Sequence, residues 1–154
     1  MEKIKTVIDT SVIVAGAINP FGSSGKVIDM AIRNRITSYT SSEILDELRF
    51  KLTSEKVTKF LESRIYGLWV YKVFKESSIL VKPNKHFHFN VSPDLDDNKF
   101  FDVVYVAKAK FLITLDKRHM LKLRGKDKSF SLMDHKFLIL TPREFLEHLK
   151  VSKD

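Results

Sequence analysis

Two apolar runs in this chain end in a carboxylate: Thr6-Val7-Ile8-Asp9, and Phe111-Leu112-Ile113-Thr114-Leu115-Asp116. Both read as strands. An ionised group at the end of a buried strand is costly unless it is paired or put to use. Strands that alternate with helices build a parallel sheet covered on both faces. The carboxyl ends of such strands open on a shared crevice. Asp9 and Asp116, far apart in sequence, are therefore expected to meet in space.

The rest of the chain supplies that alternation. Lys5–Ile8, Ile36–Tyr39, Phe111–Thr114 and Lys136–Leu140 are expected as strands, with Ile79–Val81 a fifth. Apolar residues recur at helical spacing between them: Val27, Ile28, Ala31 and Ile32 within 25–34, and Ile44, Leu45, Leu48 and Leu52 within 42–52. Helices are also expected over 56–75, broken near Gly67, and over 98–108. A last one opens at Thr141-Pro142-Arg143-Glu144. There a Thr cap, a Pro at the first position and a Glu at the third make a capping box. The expected architecture is a three-layer α/β/α fold around a central parallel sheet of four or five strands. It forms one domain over 1–150 with a short tail at 151–154.

Composition narrows the chemistry. No cysteine is present, which excludes disulfides, thiolate zinc sites and a Cys nucleophile and fits a reducing cytosol. The apolar stretch from Val7 to Ile18 follows Lys3 and Lys5 as a signal peptide would, but Asp9 interrupts it. No run approaches membrane-spanning length, and a cytoplasmic location is expected. The net charge of +8 suits either a polyanion partner or a Lys-rich surface that aids solubility.

Each acid has two readings. Asp9 is a metal ligand, or Asp9-Thr10-Ser11 caps the next helix; the roles are compatible if Thr10 or Ser11 does the capping. Glu47 lies at the edge of the stripe made by Ile44, Leu45 and Leu48, whereas Asp46 falls away from it. It is a site acid or one of the solvated acids common on helices. In Asp94-Leu95-Asp96-Asp97, Asp94 or Asp96 suits a helix cap and Asp97 the site. Asp102, among Phe101, Val103 and Val104, needs a partner: the metal cluster, or Lys99 one turn back. Asp116 is a ligand at a strand end, with Thr114 hydrogen-bonding inside the site, or a turn acid paired with Lys117, Arg118 and His119. His86 and His88 make a weak chelating pair without a third ligand. Oxygen donors dominate, which favours Mg²⁺ or Mn²⁺ over zinc.

Taken together these residues resemble the PIN domain family of ribonucleases over nearly the whole chain. The matching motifs are Val7-Ile8-Asp9-Thr10-Ser11, Glu47-Leu48 on a helix, Asp97 opening a helix, and Thr114-Leu115-Asp116. Asp97-Asn98-Lys99-Phe100 looks like the branch that holds toxins of toxin–antitoxin pairs. The resemblance implies a metal-dependent ribonuclease with Asp9, Glu47, Asp97 and Asp116 as the catalytic set. Asp9, Asp97 and Asp116 hold Mg²⁺ or Mn²⁺, with Ser11, Thr114 and Asp102 as further site residues. Glu47 binds metal through water or orients the nucleophile. Products carry 5′-phosphate and 3′-hydroxyl ends. Single-stranded RNA is the implied substrate, an antitoxin and a second copy of the chain the implied protein partners. Lys117, Arg118, Lys122, Arg124, Lys126 and Lys128 follow Asp116 and are expected to contact RNA phosphates, or else form a solvated face.

The chain also departs from the pattern. Many relatives carry another acid just after Thr-x-Asp, where Arg118 and His119 stand here, and Asp102 is the candidate to compensate. The segment from Leu52 to Asn90 carries no matching motif. One alternative is a fold kept as a nucleic-acid-binding or scaffold protein without catalysis. Another is a phosphoacceptor receiver-like domain, but that places an acid pair at its first strand end, and Asp9 stands alone.

Overall fold

Val7 and Ile8 are both fully buried, yet they enter different cores. Leu112 and Ile113 split in the same way, as do Ile139 and Leu140. Side chains alternate across a strand, so a strand buried on both faces needs a layer on each side. The computed structural model describes residues 3–61 and 63–153. Residue 62, inside an expected helix, and residue 154 of the expected tail lie outside the described residues.

Six strands form one sheet: β1 (Ile4–Ile8), β2 (Ile36–Thr40), β3 (Ser78–Leu80), β4 (Phe111–Ile113), β5 (Ser129–Leu132) and β6 (His135–Leu140). Their order is β3-β2-β1-β4-β6-β5. Five are parallel; β5 runs antiparallel to β6 and closes the edge. The sequence reading found the five parallel strands and missed β5. The hairpin turns on Met133, at φ 55°, followed by Asp134. That pair carries none of the Asn-Gly or Asp-Gly signature of a tight turn.

On one face lie α1 (Thr10–Ile18), α2 (Ser23–Ile32), α3 (Ser42–Leu52), α5 (Arg64–Ser77) and α7 (Pro142–Lys153). The other is covered by α6 (Asn98–Ala107), through Phe100, Phe101, Val103 and Val104. The sequence offered only a cap for α1, at Asp9-Thr10-Ser11, because its apolar residues have no helical period. Val12 and Ile13 are fully buried, and a helix apolar nearly all round lacks an amphipathic stripe. Backbone 151–153 continues α7 and so is not a separate tail. The capping box is present: Thr141 Oγ1 accepts from Glu144 N at 3.1 Å and Glu144 Oε1 from Thr141 N at 2.9 Å. No helix among the described residues is long and apolar enough to cross a membrane.

The helix expected over 56–75 is two, α4 (Glu55–Leu61) and α5, and the second begins at Arg64 rather than near Gly67. Ser63 Oγ caps α5 by accepting from Tyr66 N at 3.3 Å. Gly67 lies inside α5 where it meets the end of α3. A Cβ there would stand 2.2 Å from the Leu52 carbonyl oxygen. Gly67→Ala is accordingly expected to cost about 1–3 kcal/mol, as overpacking does. Urea denaturation checks this; unchanged stability would mean that α5 does not approach α3 so closely.

Candidate metal centre

The order β3-β2-β1-β4-β6 places β1 and β4 side by side at the sheet's centre. From β1 the chain proceeds outward to β2 and β3, then returns by way of α6 to β4. The reversal falls between β1 and β4, the switch point at which such sheets bind ligands. Asp9 follows β1 directly, and its N–H donates to Ile113 O of β4 at 2.9 Å.

Asp9 is 4% exposed and caps α1. The cap is thus Asp9 itself, not Thr10 or Ser11. Its Oδ2 accepts from Ser11 Oγ at 2.8 Å and from Thr114 Oγ1 at 2.7 Å. Burial pushes the Asp9 carboxyl above its ordinary range against these hydrogen bonds. Thr114 is fully buried, and its hydroxyl also accepts Asp116 N–H at 2.9 Å. Asp9, expected as a metal ligand, is linked to Asp116 through Thr114.

Asp116 and Asp97 face each other. Asp116 Oδ1 accepts the N–H groups of Arg118 and His119, each at 3.1 Å, while Oδ2 lies 3.3 Å from His119 Nδ1. Asp97 sits at the cap position of α6 without capping it. Asp94 caps the preceding 3-10 turn instead, accepting from Asp96 N at 3.0 Å. Asp97 Oδ2 accepts from Ser92 Oγ at 3.2 Å and lies 3.9 Å from His119 Nδ1. Burial, then the charges of Asp116 and Asp94, raise the Asp97 carboxyl to about 7. Two facing carboxylates cannot both ionise cheaply without a cation between them. Oxygens of Asp94 and Asp97 and the His119 ring nitrogen all lie within 4.8 Å of one another. Two carboxylates and an imidazole at that spacing form a donor set that fits one divalent cation, with Asp116 beside it on the His119 ring.

Glu47 is differently placed. It accepts from Thr10 Oγ1 at 2.6 Å and from Lys99 Nζ at 2.9 Å, with Lys51 Nζ 3.6 Å away. Lys51 donates to Thr10 Oγ1 at 2.9 Å. The Thr10 hydroxyl has one hydrogen. It goes to Glu47, the shorter contact, rather than to Asp9 at 3.4 Å. Burial opposes the Glu47 charge, but Thr10, Lys99 and Lys51 outweigh it and hold the carboxyl below its ordinary range.

Two sequence expectations are corrected. Asp102 joins neither the acids nor Lys99: it binds His88 Nδ1 and Phe89 N, both at 2.8 Å. The irregular segment packed along α6 supplies the partner that a buried acid needs, and it engages His88 Nδ1 in doing so. Arg124 is not a free rim cation. Its guanidinium donates to Ile139 O at 2.9 Å and to Glu144 Oε1 at 2.7 Å, while Lys128 Nζ lies 2.8 Å from Glu144 Oε2. Lys117, Arg118, Lys122 and Lys126 are exposed. Sequence reasoning overlooked Lys51, Ser92, the ligand potential of His119 and the pairing of Lys99 with Glu47. Lys51 was findable as the partner one turn after Glu47; Lys99 reaches Glu47 only through the tertiary fold.

A family model described as PIN domain matches residues 5–118. An uncharacterized protein of Methanocaldococcus jannaschii is 39% identical over 148 residues, covering 96% of this chain and 93% of that one.

The raised Asp97 carboxyl sets a pH dependence. Its folded value of about 7 exceeds the unfolded one of 3.8. That contribution to stability is complete below the unfolded value and is lost as pH rises through about 7. Metal-free protein should melt at a lower temperature at pH 8 than at pH 5.5. Asp97→Asn should flatten this difference, and Mn²⁺ should reverse it in wild type. Scanning calorimetry on stripped protein checks all three; equal melting of wild type at the two pH values would count against the facing acids.

Proposed function

Because this chain belongs to the PIN domain family, whose members are typically metal-using nucleases, we propose that it is a metal-dependent endoribonuclease acting on single-stranded RNA. The observation that carries the reading is the pair Asp97 and Asp116, facing each other beside the central switch point with the Asp97 carboxyl raised to about 7. Such a pair stores repulsion that a divalent cation relieves.

Asp97, Asp116 and Asp94 would hold Mg²⁺ or Mn²⁺, with Asp9 anchoring the set through Thr114. The cation supplies Lewis acidity toward the phosphodiester and toward its attacking water. Water adds to phosphorus, the bond to the 3′ oxygen breaks, and a proton moves to that oxygen. The products are a 5′-phosphate and a 3′-hydroxyl. Glu47, kept ionised by its two lysines, accepts a hydrogen bond from the water and so orients it. Lys51 and Lys99 add positive charge beside the acids, where a polyanionic backbone needs it. Exposed Lys117, Lys122 and Lys126 follow Asp116 and would contact flanking phosphates.

A toxin role with an antitoxin partner extends this reading. It is supported by an apolar groove of about 610 Å³ between α2 and α5, lined in part by Phe21, Trp69 and Val70. Phe21 is 89% and Trp69 57% exposed, a surface that suits a protein partner, whether antitoxin or second copy.

Stripped protein incubated with labelled single-stranded RNA is expected to cleave only when Mn²⁺ or Mg²⁺ is added. Asp116→Asn should slow cleavage at least about a hundredfold, the scale of removing one group that stabilises transition-state charge. Binding without cleavage on several RNAs would leave the scaffold alternative standing. Replacing Lys117, Lys122 and Lys126 with Ala should weaken binding and flatten the log–log salt slope by up to about 2, roughly 0.7 per lost contact. An unchanged slope would remove the rim from the interface.

A further inference from the structure

We infer that His119 is a direct ligand of the divalent cation, making this a mixed carboxylate–imidazole centre that favours Mn²⁺ over Mg²⁺. The inference rests on the metal site proposed above and concerns which atoms complete it. His119 Nδ1 lies 3.3 Å from Asp116 Oδ2 and 3.9 Å from Asp97 Oδ2. Ligands about 2.1 Å from an octahedral ion sit roughly 3–4.2 Å from one another. Those two separations are thus what atoms sharing one cation show. A second grouping holds Asp94 in place of Asp116: one oxygen of it, one of Asp97 and the His119 nitrogen lie mutually within 4.8 Å.

The ring is held there by the backbone. Asp116 Oδ1 accepts the His119 N–H at 3.1 Å, so one aspartate fixes the turn with one oxygen and faces the imidazole with the other. The His119 side chain is 34% exposed, which leaves the centre open to water or a substrate oxygen. Mg²⁺ prefers an all-oxygen octahedron and dehydrates reluctantly, whereas imidazole suits transition ions. A nitrogen donor at this position therefore tilts selection toward Mn²⁺. The competing account is a His119 ring that only hydrogen-bonds to the two aspartates and leaves the ion to them.

Pulsed EPR on the full chain, stripped and loaded with one equivalent of Mn²⁺, separates the two. The expected result is modulation from a directly bound ¹⁴N in wild type, lost in His119→Gln, whose Mn²⁺ dissociation constant rises about tenfold or more. His119→Asp, which exchanges nitrogen for oxygen, should bind Mn²⁺ without that modulation and narrow the preference over Mg²⁺ in competition titrations. It also serves as the informative variant if His119→Gln does not give a cooperative melt. Wild type binding Mn²⁺ with no nitrogen coupling, or either variant retaining it, would overturn the ligand role while leaving the carboxylate site intact. No Mn²⁺ binding by wild type, or binding indifferent to Asp97→Asn, would overturn the site reading and this inference with it.

Discussion

One buried hydroxyl ties the ends of the two central strands together. Thr114 donates to Asp9 at the end of β1 and accepts the N–H of Asp116 beyond β4. It is fully buried, so both bonds form away from competing water. The acids on either side of it come from opposite ends of the sequence, and the sheet brings them together. Without the hydroxyl, Asp9 would lose a close donor at 4% exposure, and the turn carrying Asp116 would lose an anchor. The surrounding arrangement, Asp97 and His119 included, is referred to that turn.

The acids divide into two electrostatic kinds. Glu47 is surrounded by donors and lysines, so its charge is settled by the protein alone. Asp97 and Asp116 are set against each other, and His119 is the basic group beside both. An oriented carboxylate whose neighbours favour its charge and a pair in want of a cation are different tools. The proposed hydrolysis would use both: one to position water, the other to gather positive charge at the phosphate.

Much of this was legible from local pattern. The strands near Asp9 and Asp116 are short apolar runs, and the chirality and layering of α/β folds do the rest. Asp97 was readable because an acid at a helix start is either a cap or free, and Asp94 takes the cap. What escaped the sequence was decided at long range. Asp102 found its partners on an irregular segment with no periodicity to betray its path. Arg124 looked like one more basic residue in a basic stretch, yet the capping-box Glu144 draws it in. The hairpin at β5 turns on residues that carry no turn signature, and α1 is too apolar to show a face. In each case the missing information was the identity of a neighbour, which no local window contains.

The segment between β3 and α6 has almost no regular structure, yet it supplies Ser92 and Asp94 to the site. It is moored to α6 at two levels. Asn98 Oδ1 accepts the N–H groups of Val91 and Ser92, each at 2.9 Å, and Asp102 accepts that of Phe89. Asn98 and Asp102 lie one helical turn apart and are both buried. The segment consequently borrows its order from the helix, and the two are expected to open together. In the language of hydrogen exchange, the amides of Phe89, Val91 and Ser92 inherit the protection of α6 rather than that of a loop. A stretch that looks like the least structured part of the chain thereby keeps time with one of its best-packed helices.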